Sequence, residues 1–294
     1  MIRFLKEIKL LALLFLKNNI LAVKTTFKIE SENEYPILGD LSLSTNNQPA
    51  PLIIFCHGYK GYKDWGAWNL VANIVSKKGI HFCKFNFSLN GGTLNNPIDF
   101  PDLDAFSKNT YSQEVNDLNR VINYVNKHYK NHINGIFLVG HSRGGGIALL
   151  NANNPLINGV ITWASVADFG NRFPKGVELS NWINKGIRYV INSRTNQEMP
   201  HNISFYNDFI ENENELTIKN VVKKLNKPQM IIHGTRDQAV LIAEANLLKK
   251  WNPNAELITF KASHTFNSSH PWEQKELPKE LQMALDYTTD FILS

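Results

Sequence analysis

Three short stretches of this chain hold the side chains that could do covalent chemistry. Gly140-His141-Ser142-Arg143-Gly144 sets a serine among glycines, after the apolar run GIFLVG and before GGGIALLNAN. A serine on so sharp a turn has a strained backbone, and flanking side chains would clash there. The turn lifts the hydroxyl clear of the sheet edge. The helix that follows aims its N-terminus at the same place and favours developing negative charge. That is a setting for a nucleophile, which also needs a base and donors for an oxyanion.

Candidates for those roles lie elsewhere in the chain. The strand-like QMIIHG is followed by Thr235-Arg236-Asp237, and ELITFKA by Ser263-His264-Thr265. A carboxylate and then a histidine, each just past a strand, reach the carboxyl ends where sites in open α/β sheets lie. His264 would take the proton from Ser142, and Asp237 would orient the imidazole and stabilise its cation. PLIIFC ends in His57-Gly58-Tyr59, so the backbone N–H of Tyr59 would join that of Arg143 as an oxyanion donor. Asp168, after GVITWAS, is the alternative acid. His270, in NSSHPW, reads as a loop residue and His233 as a structural one. His128 and His132 have the i, i+4 spacing of metal ligands but no recurring acidic partner, so they read as a solvated pair.

The elements that must position these residues follow a strand–helix alternation. TTFKIES (25–31) and ILGDLSLS (37–44) read as early strands, with Pro36 as a breaker. PLIIFC (51–56), IHFCKFNFS (80–88), GIFLVG (135–140), GVITWAS (159–165), QMIIHG (229–234) and ELITFKA (256–262) continue the strands. Residues 65–79, 112–129, 241–251 and 278–293 have helical character, with Val115, Leu118, Val121, Ile122 and Val125 on one face of the second. Strands separated by such helices imply an α/β fold with a mostly parallel sheet. Residues 168–226 separate two strands by far more than a crossover needs and read as a small cap insertion. Within it, YVINSRTNQEMPHNISFYNDF reads as a hairpin with Pro200 near its turn. Such a hairpin would leave a partly open cleft.

Charge and cysteine content exclude several classes. The net charge is +5, but six of the 31 basic residues and one of the 26 acidic ones lie in residues 1–28. The body is therefore neutral, with no signature of nucleic-acid binding. Cys56 and Cys83 each sit in an apolar run and make neither a disulfide framework nor a zinc site. Residues 1–23 stand apart from residues 24–294. Their apolar run, Leu10 to Leu16, is too short to span a bilayer. Three readings of this segment stay open: a signal peptide, an amphipathic membrane anchor, or an extension ahead of a later translation start near Val23. A cytoplasmic protein is the expectation, and secretion or membrane association would come through residues 1–23. Oligomeric state cannot be read from the sequence.

The stretches HGYKGYKDW, GHSRGGG, HGTRDQAV and ASHTF resemble motifs of the α/β-hydrolase superfamily. The likeness is to serine esterases related to dienelactone hydrolases, cinnamoyl or feruloyl esterases and the serine aminopeptidase-like group, over residues from about 25 to 294. The chain order Ser142, Asp237, His264 is the order of that class. The resemblance implies hydrolysis of a small-molecule carboxylic ester through an acyl-enzyme, without a cofactor or metal. It implies Ser142 as nucleophile, His264 as base, Asp237 as acid, and Tyr59 and Arg143 as backbone oxyanion donors. A peptidase of the same fold would need a carboxylate for the substrate's free amine, with Glu178, Glu198, Asp208 and Glu211 as candidates. A third reading is an inactive fold kept for binding. The cap aromatics Phe169, Phe173, Trp182, Tyr189, Phe205, Tyr206 and Phe209 either wall a pocket or pack the cap down.

Overall fold

The structure, a computed structural model, describes residues 24–30, 35–46 and 48–294. The readings of residues 1–23 lie outside these. Eight strands form one sheet: β1 (Lys24–Ile29), β2 (Ile37–Ser42), β3 (Ala50–Cys56), β4 (His81–Asn86), β5 (Ile133–His141), β6 (Gly159–Trp163), β9 (Gln229–Gly234) and β10 (Glu256–Phe260). Their spatial order is β1-β2-β4-β3-β5-β6-β9-β10. β1 and β2 are antiparallel to their neighbours, and from β4 to β10 every pair is parallel. The predicted α/β class and mostly parallel sheet are therefore what the chain forms.

Alternation along β3 shows why the sheet is covered on both faces. Leu52, Ile54 and Cys56 enter one apolar layer, and Ile53 and Phe55 enter the other. On the second side lie α1 (Trp68–Lys77), through Trp68, Val71 and Val75, and the closing helix α10 (Lys279–Leu293), through Leu281 and Leu285. On the first side lie α3 (Tyr111–Tyr129), α4 (Arg143–Asn151) and α9 (Ile242–Trp251). The five apolar positions predicted for one face of α3 pack there, four buried and Val115 partly so. Thr110 starts that helix by accepting the Gln113 N–H at 3.2 Å. A shorter helix, α2 (Leu103–Lys108), precedes it, with Asp102 accepting from the Ala105 N–H at 2.9 Å.

Between β6 and β9 the chain builds the insertion. It carries α5 (Val177–Lys185), the antiparallel pair β7 (Ile187–Asn192) and β8 (Gln197–Asn202), then α6 (Ser204–Glu211), α7 (Glu213–Leu216) and α8 (Ile218–Val222). Pro200 does not sit near the turn, as the sequence suggested. It lies inside β8 opposite Tyr189, and the turn is Ser193 to Asn196. A two-stranded ribbon has only edge strands, so a proline without an N–H is tolerated there. The segment NISFYNDF is mostly α6 rather than hairpin.

A buried ionic cluster fastens the sheet to the loop after β3. Lys84, on β4, is 1% exposed and donates to Asp40 Oδ2 at 2.7 Å and to Asp64. Lys63 donates to the same Asp40 oxygen at 2.8 Å and to Asp64 at 2.5 Å, while its N–H meets Asn86 Oδ1 at 2.6 Å. Burial alone would raise the Asp64 carboxyl, but Lys84 and Lys63 hold it down at about 2. Removing one partner from such a cluster strands a buried charge. Lys84→Met is expected to lower unfolding free energy by about 3 kcal/mol, measured by urea denaturation.

Candidate active site

Ser142 closes β5 and opens α4 with φ 57° and ψ −121°. Its N–H is held by Trp163 O at 2.9 Å, and its carbonyl accepts from Gly145 N at 3.0 Å. The turn is this tight because its glycines let backbone meet backbone. A Cβ on Gly140 would stand 2.2 Å from Gly144 O, and one on Gly144 2.3 Å from Cys56 O. The turn is thus wedged against the end of β3, where the loop with Gly58 and Tyr59 begins. Gly58 lies against Ser142, since a Cβ there would be 3.0 Å from Ser142 Cβ.

The structure brings together three of the predicted residues. Ser142 Oγ donates to His264 Nε2 at 3.0 Å, and His264 Nδ1 donates to Asp237 Oδ2 at 2.7 Å. The other Asp237 oxygen accepts from the Ala239 and Val240 N–H groups, both at 2.9 Å. Burial alone would raise this carboxyl, but His264 and those two amides outweigh it and hold it below the usual range. Asp168 goes elsewhere: it accepts from the Asn171 backbone N–H at 3.1 Å and from the Asn171 side chain at 2.9 Å.

Two flanking histidines hold the frame. His141 Nε2 donates to His264 O at 2.9 Å, so the residue before the serine fixes the backbone of the histidine opposite it. Burial, with His264 beside it, lowers His141 to about 3, and it stays neutral. His57 Nδ1 donates to Gly58 O at 3.0 Å and its Nε2 accepts from the Phe87 N–H at 3.4 Å. Burial lowers His57 to about 4. Neither role is signalled by the sequence beyond position beside a motif. His233 is buried and donates to Val240 O at 2.8 Å, a structural role as predicted. His270 lies in a loop, but a bonded one: it donates to Tyr62 at 2.8 Å and accepts from Gly66 N at 2.8 Å. His128 and His132 are exposed, and no cluster of three metal-binding side chains exists among the described residues.

The Arg143 side chain has a part that its position in the motif did not reveal. Its guanidinium lies 4.3 Å from the Tyr59 ring centre and 5.2 Å from those of Tyr111 and Phe205. It also reaches Glu114 at 3.3 Å. One cation thus joins the loop after β3, α3 and the cap helix α6. Burial pushes the Glu114 carboxyl up, and Arg143 and Asn109 oppose it. Tyr59 in turn bonds His201 of β8 through its hydroxyl at 2.7 Å.

Two cavities meet at Ser142 and His264. The first, about 410 Å³, runs under the cap between Tyr111, Phe169, Phe173, Trp182 and Phe205. Cap aromatics therefore do both jobs weighed from sequence: Phe169, Phe173, Trp182 and Phe205 are at most 8% exposed yet wall the cavity. Phe209 only packs, and Tyr189 is exposed. The second cavity, about 330 Å³, runs over Trp65, Trp68 and the hairpin turn at Ser193 and Arg194. Neither is lined by an aspartate or glutamate, so Glu178, Glu198, Asp208 and Glu211 are not brought to Ser142.

Comparison with known proteins agrees with this architecture. Est1E from Butyrivibrio proteoclasticus, in a structure with ferulic acid bound, superposes with a TM-score of 0.69 at 17% identity, over 91% of this chain and 98% of that one. A putative hydrolase from Agrobacterium vitis gives 0.68 at 16% identity, over 92% and 99%. A dienelactone hydrolase from Anabaena variabilis gives 0.61 at 13% identity, over 93% and 98%. These likenesses establish the α/β-hydrolase fold. No protein of curated function matches the chain in sequence. The BD-FAE family model, in contrast, matches residues 40–252, which run from β2 through β9 and hold the Ser142 turn, the cap and Asp237. The chain belongs to the BD-FAE family, with the fold of the α/β-hydrolase superfamily.

Proposed function

We propose that this protein is a serine hydrolase of carboxylic esters, with Ser142 as nucleophile, His264 as general base and Asp237 as its orienting acid. The observation that carries the reading is the unbroken relay from Ser142 Oγ to His264 at 3.0 Å and on to Asp237 at 2.7 Å. As Ser142 Oγ attacks the ester carbonyl, its proton moves to His264 Nε2. The carbonyl oxygen becomes an oxyanion facing the backbone N–H groups of Tyr59 and Arg143. Arg143 is the first residue of α4, so its N–H has no acceptor within the helix. Collapse expels the alcohol, which leaves with the proton from His264. Water activated by the same histidine then cleaves the acyl-enzyme. No step calls on a cofactor.

The comparisons favour an ester over a peptide substrate, since several of the structurally similar proteins are described as esterases. The cavities point the same way. An amine-recognising peptidase needs a carboxylate near the serine, and the linings offer cations instead. An inactive binding fold has no missing group to support it.

The first test is turnover of 4-nitrophenyl acetate, butyrate and octanoate. Ser142→Ala is expected to lose at least about a thousandfold in kcat/KM while keeping its far-UV spectrum. Asp237→Asn, which leaves His264 without a carboxylate, is expected to lose about 10⁴-fold in kcat. Wild-type rates on all three esters that survive Ser142→Ala would refute the assignment.

The buried histidines set an acid limit on stability. His57 is lowered to about 4, and His141 and His201 to about 3, chiefly by burial, against 6.5 when free. Below pH 6.5 the unfolded chain takes up protons that the folded one refuses. Stability that is complete above that pH is therefore lost as pH falls toward 4, by about 1 kcal/mol per histidine at pH 5.5. Asp237 adds to the loss only further down, since its folded value lies below that of a free carboxyl. Thermal unfolding between pH 7.5 and 5 is expected to show a steadily falling midpoint. A flat profile would mean these histidines are protonated in the folded protein.

A further inference from the structure

The body of the chain is electrically neutral, yet the cavity under the cap is not. Four cations line it, Lys60, Arg143, Arg172 and Arg188, and no carboxylate does. Two of the four are answered from behind the wall. Arg143 reaches Glu114, and Arg172 is bonded to Glu244, whose second oxygen accepts from the Ala167 N–H at 2.7 Å. Lys60 and Arg188 have no acidic partner among the described ion pairs. Among the described residues, Lys60 Nζ meets only the Ile191 carbonyl, at 3.3 Å, and the Tyr59 ring, at 5.2 Å.

Strand register aims Arg188 at the cavity. Arg188 on β7 pairs with His201 on β8, and directly paired residues project from the same face of a ribbon. Val190, two residues on, shares that face. All three line the cavity, and His201 is bonded to Tyr59 beside Ser142. The Arg188 guanidinium lies over the Trp182 ring at 4.9 Å from its centre, which leaves its edge free for a planar anion. The field is strong enough to be felt by His201, whose imidazole is lowered by burial and then by Arg143, Arg188 and Lys60. Both unanswered cations are partly buried, so their solvation is incomplete and a carboxylate would complete it.

We infer that the ester taken by this protein carries a carboxylate on the part that enters the cap cavity, where Arg188 and Lys60 receive it. The inference rests on the serine-hydrolase reading for its assay but makes a separate claim, about preference among esters. A charged substrate also accounts for an aromatic cavity that spends two cations on its rim rather than closing it with apolar side chains.

Two pairs of esters, each setting a carboxylate against an alkyl end, test it. The first is mono-4-nitrophenyl glutarate against 4-nitrophenyl pentanoate, which places the charge on the acyl side. The second is the butanoate ester of 3-hydroxypropanoate against butyl butanoate, followed by acid release, which places it on the alcohol side. In one pair the anionic member is expected to have about tenfold or more higher kcat/KM, a preference that falls as sodium chloride rises from about 0.02 to about 0.5 M. Arg188→Gln is expected to bring that ratio close to one, Arg188→Glu to reverse it, and Lys60→Gln to lower it part way. Ratios below about threefold in both pairs would overturn the inference. So would a preference that neither Arg188→Gln nor Lys60→Gln alters. If an Arg188 variant does not fold, the salt dependence of the wild type and the Lys60→Gln ratio decide. Turnover of the neutral esters, lost in Ser142→Ala, shows independently whether the serine-hydrolase reading holds.

Discussion

The backbone at Ser142 is held at a positive φ of 57°, and much of the structure serves to keep it there. A non-glycine residue in that region costs on the order of 1–3 kcal/mol and persists only where its surroundings over-determine it. Here the constraint is contact between backbones. Gly140 meets Gly144, and Gly144 meets the end of β3. Trp163 O takes the serine N–H. Three adjacent parallel strands, β3, β5 and β6, must therefore be in register for the turn to exist, and their two apolar layers supply the energy that holds them so.

Around that turn, each loop is tied to another loop rather than only to its own strand. His141 grips the backbone of His264, His57 accepts from the Phe87 N–H just after β4, and the Lys84–Asp40–Lys63–Asp64 cluster ties the loop after β3 to β2 and β4. Arg143 links Tyr59, Tyr111 and Phe205, which come from a loop, a framework helix and the cap. The cap thus rests, through Phe205, on the side chain of the residue that follows Ser142.

What the sequence made legible was local. Ser142 could be found because strand, turn glycines and helix follow each other within a dozen residues. Asp237 and His264 could be found because each follows a strand of the alternating pattern, and the structure joins them to Ser142 while sending Asp168 to Asn171. The Arg143 cage was not legible, because its partners at 59, 111, 114 and 205 are brought together only by the fold. The orientation of Arg188 was hidden for a related reason. Placing the hairpin turn near Pro200 sets the wrong register, and only the true turn at Ser193 to Asn196 pairs Arg188 with His201. Pairing register is decided by turn position, and a shift of one residue moves every side chain to the other face.

Covalent trapping would show whether Ser142 is an activated nucleophile. An alkyl fluorophosphonate gives up fluoride as its phosphorus bonds to an activated serine oxygen. One adduct per chain is expected, on the peptide containing Ser142, with loss of labelling in both Ser142→Ala and His264→Ala. Failure of the folded protein to label, or a label that stays in Ser142→Ala, would contradict that role.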